Sequence, residues 1–224
     1  MSNYYEEHLH STSLFQVYQT DLPRIRQYLD EEIRFVQKEL KPDFRILEVG
    51  AGYGRILREL APSVATAVGV DLSADSIRLA QAYCKDQPNC SFQVMDAFHL
   101  DFEEPFDAVI CLQNGLSAIK GQPLALIRQC LKVLKKGGRA YFSTYSPRFW
   151  DHRLAWFQEQ ADIGLLGEID PVQTGDGRIV CRDGFVGIAY TENDLRQLAE
   201  ATGCSYHMEE VDGSSLFLLV DQLP

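Results

Sequence analysis

The stretch from Arg45 to Arg55, reading R-I-L-E-V-G-A-G-Y-G-R, constrains this chain more than any other. Ile46, Leu47 and Val49 form a short apolar run around a single carboxylate, Glu48, the pattern of a strand buried on both faces. Gly50, Gly52 and Gly54 follow. Without a Cβ they let the chain turn sharply and bring its backbone close to a ligand. Ile56, Leu57 and Leu60 then start a helix. Strand, glycine turn and helix, in that order, make a cradle for a nucleotide-type cofactor.

Charge and glycine spacing narrow the choice of cofactor. A dinucleotide fingerprint is G-x-G-x-x-G, with a pyrophosphate on the helix N-terminus. Here the pattern is E-x-G-x-G-x-G. A carboxylate two residues before the first glycine repels a diphosphate and attracts a cation. S-adenosylmethionine carries an ammonium and a sulfonium and no phosphate, so it suits that charge better. On these residues the chain resembles the class I S-adenosylmethionine-dependent methyltransferases, with S-adenosylhomocysteine as product.

The remaining pattern agrees. Val64 to Val70 reads as a second strand ending at Asp71, Ser91 to Met95 as a third ending at Asp96, and Phe106 to Leu112 as a fourth opening onto Gln113 and Asn114. Helices are expected over Tyr53 to Ala61, from the Ser73 cap through Tyr83, and over Pro123 to Leu134. Gly137-Gly138 reads as a turn into a fifth strand, Arg139 to Tyr145. Strands separated by helices pair in parallel through right-handed crossovers. Thr191 with Asp194 is close to a capping box, and Ser205 to Val211, Asp212-Gly213 and Ser214 to Val220 read as an antiparallel hairpin. The expected fold is α/β: a doubly wound, mostly parallel, Rossmann-like sheet, seven-stranded if the resemblance holds, with an antiparallel terminal hairpin.

Residues 1–224 are expected to form one domain, since 224 residues with 46% hydrophobic content suffice for one core. An N-terminal segment, 1–40, comprises an aromatic stretch with Tyr4, Tyr5, His8, His10, Phe15 and Tyr18, then a helix carrying Ile25, Leu29, Ile33, Val36 and Leu40 that ends at Pro42. The aromatic stretch is a candidate lid. Residues 146–189 are an insertion and candidate substrate cap, with an amphipathic helix over Phe149 to Ala161 and a hairpin over Ile179 to Ile188.

A net charge of −11 with scattered Lys and Arg argues against nucleic acid as partner. The cysteines at 84, 90, 111, 130, 181 and 204 have no ligand-like spacing with histidine, so no metal is expected and reduced thiols fit a cytoplasmic protein. No apolar run is long enough for a membrane span, so no membrane partner is expected. The expected assembly is a monomer or homodimer.

Ligands of open parallel sheets bind at the C-terminal strand ends. The polar residues there are Glu48, Asp71, Asp96 and Gln113. The resemblance implies that Asp71 accepts from the ribose hydroxyls, that Leu72 packs on adenine, and that Asp96 with the Ala97 amide reads the adenine edge. It further implies that the main chain of Gly50, Ala51, Gly52 and Gln113 holds the methionine part. No residue declares itself a catalytic base; Tyr18, Asn114, Tyr145 and His152 are the candidates. The fourth strand ends in L-Q-N-G, unlike the N-P-P-Y tetrapeptides of amino-methylating enzymes, and an Asp-rich metal constellation is lacking. Those features favour a small-molecule acceptor. The alternatives are a protein or RNA methyltransferase, a nucleotide-dependent oxidoreductase, and a binding protein that keeps the fold and transfers nothing.

Overall fold

The computed structural model describes residues 11–223. Seven strands form one sheet in the order β3-β2-β1-β4-β5-β9-β8. They are β1 (Arg45–Val49), β2 (Thr66–Asp71), β3 (Cys90–Val94), β4 (Phe106–Cys111), β5 (Leu134–Tyr145), β8 (Ser205–Val211) and β9 (Ser215–Asp221). The first five pair in parallel; β9 joins β5 and β8 in antiparallel register. The order reverses at β1, between β2 and β4, so the crevice beyond Val49 is where such a sheet opens a ligand site.

Alternating side chains build a core on each face. Leu47, Val49, Val68 and Val70 face one side and pack with Leu126, Ile127 and Cys130 of α6 (Pro123–Lys132) and Leu195 and Ala199 of α8 (Glu192–Glu200). Ile46 and Ala67 face the other. They meet Ile33 and Val36 of α2 (Pro23–Gln37), Ile56, Leu57 and Leu60 of α3 (Arg55–Leu60), and Ile77 and Ala80 of α4 (Ala74–Tyr83). The expected helix starts are present: Ser73 Oγ accepts the Ser76 amide, and Thr191 with Asp194 closes a capping box worth about 1 kcal/mol.

Two local expectations differ. The helix after the glycine turn spans only Arg55–Leu60, because Pro62 tightens its end into the 3₁₀ turn Ala61–Ser63. Gly137-Gly138 does not precede the fifth strand. It lies within β5, where the register against β4 shifts between Phe106 and Ala108 and absorbs the extra residues. A one-turn helix, α5 (Gly115–Ala118), follows Asn114.

A third apolar cluster lies apart from the sheet cores. It joins Val17 of α1 (Ser11–Val17), Tyr28 and Leu29 of α2, and Trp156 and Phe157 of α7 (Trp150–Asp162). Ile179 and Phe185 enter it from the hairpin β6 (Arg178–Val180) and β7 (Val186–Ile188). Two bonds tie the 146–189 segment to the N-terminal one: Trp156 Nε1 donates to Val17 O at 3.2 Å, and Thr20 Oγ1 to Glu159 Oε2 at 2.6 Å. Tyr4, Tyr5, His8 and His10 lie outside the described residues.

Candidate active site

A cavity of about 520 Å³ opens at the C-terminal ends of β1, β2 and β4, a size within the roughly 300–1,000 Å³ of small-molecule sites. Glu48, Gly50, Ala51, Gly52, Asp71, Leu72, Asp96, Ala97 and Gln113 all line it. Of the four base candidates, Tyr18 and Tyr145 also line it. Asn114 and His152 do not, a correction to their expected position at the cleft. Asn114 is buried and spends its amide on Ile188 O at 2.9 Å while accepting from Thr144 Oγ1 at 2.8 Å. His152 is exposed on α7 beside Phe149.

The glycine turn is wired internally. Gly50 and Ala51 both donate to Val70 O at 2.9 Å, Gly52 donates to Asp71 Oδ2 at 2.9 Å, and Gly54 donates to Ala51 O at 2.9 Å. These amides are therefore not a free row for a diphosphate, which argues against the dinucleotide alternative. Gly52 has φ +53°, and a Cβ there would come within 2.7 Å of the Leu14 side chain, so backbone forms the cavity wall. Gly50, at φ +75°, similarly faces Ile119 at 3.1 Å.

Three carboxylates stand at successive strand ends in different environments. Asp71 accepts from Gly52 N and, through Oδ1, from Ser73 N at 2.9 Å, so its carboxylate is held rigidly at the wall. Burial raises its pKa, and those two amides oppose the rise. Asp96 accepts from Phe98 N at 2.9 Å and lies 2.8 Å from His99 Nδ1. Those contacts hold its carboxyl below the usual carboxylate range, the Phe98 amide contributing most. Glu48 is 3% exposed, and burial pushes its carboxyl well above the usual range against the opposing charge of Arg55.

The wall also carries groups that lack partners. Glu48 Oε2 and both side-chain polar atoms of Gln113 are buried without a hydrogen bond among the described residues. Leu72 lines the cavity yet is 53% exposed. Orphaned buried polar atoms are rare unless a ligand or water meets them. The unmet acceptor and amide, the exposed leucine and the glycine cradle fit an adenosyl ligand with an amino-acid tail.

A methyltransferase-domain family matches residues 46–138, the span from β1 into β5 that builds this wall. Over these residues the chain is similar to that methyltransferase-domain family. Among curated relatives, a ubiquinone biosynthesis O-methyltransferase of Paracidovorax citrulli is 30% identical over 126 residues, covering 54% of this chain and 52% of that protein. One of the same description from Coxiella burnetii is 29% identical over 183 residues, covering 81% and 73%. The chain thus spans about half the length of the first and nearly three quarters of the second. Magnesium protoporphyrin IX methyltransferase of Synechocystis superposes with a TM-score of 0.66 at 18% identity, covering 97% of each chain.

Opposite the strand ends the cavity has a second, largely aromatic face. Arg55, Trp156, Phe157, Gln160 and Phe185 line the cavity with Tyr18 and Tyr145. Trp150 and Phe149, although on the same segment, are not part of it. Arg55 closes the opening motif, which gives no sign that its side chain reaches this face. Phe185 comes from a hairpin whose inward side no periodicity of three residues can fix. Among the described residues no group of three acidic, His or Cys side chains could hold a metal, and no helix is long and apolar enough to cross a membrane.

Proposed function

We propose that this chain is an S-adenosylmethionine-dependent methyltransferase that moves a methyl group onto an oxygen of a small molecule with a flat, apolar body. One observation carries the reading: the wall of strand-end carboxylates and glycines runs without a break into an aromatic wall of Tyr18, Tyr145, Trp156 and Phe185. The oxygen preference is supported by the O-methyltransferase description of the relatives.

Bound at the strand ends, S-adenosylmethionine would supply a methyl already activated on a sulfonium. In this reading Asp71 accepts from the ribose hydroxyls, Leu72 covers the adenine, and Asp96 with the Ala97 amide reads its edge. Glu48 faces the positive end of the amino-acid tail, and Gln113 offers both a donor and an acceptor to it. The Gly50–Gly52 backbone allows close approach.

The protein's contribution to rate is then positioning. Holding nucleophile and methyl carbon in line, away from water, supplies about 7–11 kcal/mol in well-oriented systems. Burial raises the Tyr18 hydroxyl, with Arg55 opposing. It stays protonated at neutral pH, so it orients an acceptor oxygen by donating to it and does not remove its proton. Residues 11–20 and 146–189 act as the lid and substrate cap, supported by their bonds to each other and by Leu14, Val17, Tyr18 and Trp156 at the cavity.

Incubation of the purified protein with labelled donor and a small-molecule extract tests this. A labelled, extractable small product is expected. Tight binding of S-adenosylhomocysteine with no product across extracts would favour the non-catalytic reading, and label on protein or RNA would move the acceptor to a macromolecule.

A further inference from the structure

Arg55 is a cation of the cavity wall that the proposed reaction leaves without a task. Its backbone starts α3, but its side chain turns to the aromatic wall, with the guanidinium carbon 4.8 Å from the centroid of the Tyr18 ring. Tyr18 in turn lies 6.1 Å from Trp156. Arg55 Nη2 is buried and has no hydrogen-bond partner among the described residues. Other arginines of the region are paired: Arg24 with Asp212 at 2.6 Å, Arg26 with Asp21, and Arg58 with Asp86 at 2.6 Å. Glu48 and Glu32 feel the Arg55 charge, yet burial raises both carboxyls, which weakens them as counter-charges.

A guanidinium partly removed from water without an anion is unfavourable, and its planar fork matches a carboxylate in a two-bond arrangement. A ring stacked beneath it and a second aromatic next to that ring provide a surface for a flat body continuous with the anion. We infer that the methyl acceptor is a planar carboxylic acid, its carboxylate bound by Arg55 and its ring by Tyr18 and Trp156. This rests on the donor reading of the same cavity. The donor's own amino-acid tail also ends in a carboxylate, so the test separates the two sources.

Arg55→Met, Arg55→Lys and wild-type protein are titrated with S-adenosylhomocysteine and with methylthioadenosine, which lacks the carboxylate. Each protein saturated with S-adenosylhomocysteine is then titrated with hydroxybenzoates and hydroxycinnamates beside their methyl esters. Loss of a charge-assisted hydrogen bond sets the expected scale: wild type should prefer at least one acid over its ester by about ten- to a hundredfold. Arg55→Met should erase that preference while changing S-adenosylhomocysteine affinity less than about threefold, and Arg55→Lys should retain part of it. The inference is overturned if wild type shows no preference for any acid at millimolar concentration. It is also overturned if Arg55→Met weakens S-adenosylhomocysteine about tenfold or more and leaves methylthioadenosine unchanged, which would assign the carboxylate to the donor. Wild type that binds no S-adenosylhomocysteine would remove the donor reading itself, and the first titration reveals that separately.

Discussion

Glu32 offers a quantitative test of the polar ground beneath the site. It lies on the buried face of α2 with no exposure, between Tyr28 and Val36 one turn away on either side. Ser215 Oγ donates to its Oε1 at 2.8 Å, while Oε2 has no partner among the described residues. Burial raises its carboxyl from the usual 4.5 to about 7, with the Ser143 and Ser215 hydroxyls pulling the other way. Between those values the folded protein holds a proton that the unfolded chain releases. Stability contributed by the neutral acid is therefore present at low pH and is lost as pH rises toward 7. At about 1.4 kcal/mol per pH unit, the full interval amounts to about 3 kcal/mol. Glu32→Gln keeps the shape and the oxygen that accepts from Ser215 but cannot ionise. Urea unfolding of both proteins from about pH 5 to about pH 8 should show wild type losing about 2–3 kcal/mol relative to the variant. Glu48 titrates in both proteins and drops out of the difference. A gap that stays flat with pH, within about 0.5 kcal/mol, would refute the assignment of a buried, pH-sensitive carboxyl.

Further predictions concern the donor wall. Asp71→Ala removes a carboxylate that accepts the Gly52 amide and faces the cavity, so affinity for S-adenosylhomocysteine should fall about ten- to a hundredfold by calorimetry in a folded variant; unchanged affinity would take Asp71 out of the site. Burial raises the Glu48 carboxyl, so arrival of the donor's cationic tail should favour its ionised form, releasing protons and making donor affinity rise with pH; binding heats independent of buffer ionisation enthalpy would contradict this. Gly52→Ala forces a side chain onto φ +53° and toward Leu14, and should cost about 1–3 kcal/mol in stability while abolishing donor binding; near-native binding would show that the turn tolerates a Cβ.

The strand-end side of the cavity was more legible in the sequence than its aromatic side, for physical reasons. The β1 strand, the glycine turn and the carboxylates at 71 and 96 are local patterns, and a parallel sheet brings successive strand ends together without further information. The hairpin β8–β9 was readable from its alternation and its Asp212-Gly213 turn. Arg55, Phe185 and Gln160 became wall residues only through contacts among α1, α7 and the β6–β7 hairpin, which no short pattern encodes. Glu32 left a faint trace: an acid spaced four residues from Tyr28 and from Val36 on an apolar helix face. Gly137-Gly138 misled because a bulge and a turn ask for the same residues.

The central claim is that the acidic, glycine-walled crevice beyond β1 receives an adenosyl-sulfur ligand and not a phosphorylated dinucleotide. Its most direct test is side-by-side titration of the full chain with S-adenosylhomocysteine and with a nicotinamide dinucleotide. Saturable binding of S-adenosylhomocysteine with no response to the dinucleotide is the predicted result. Binding of the dinucleotide, with S-adenosylhomocysteine inert at millimolar concentration, would contradict it.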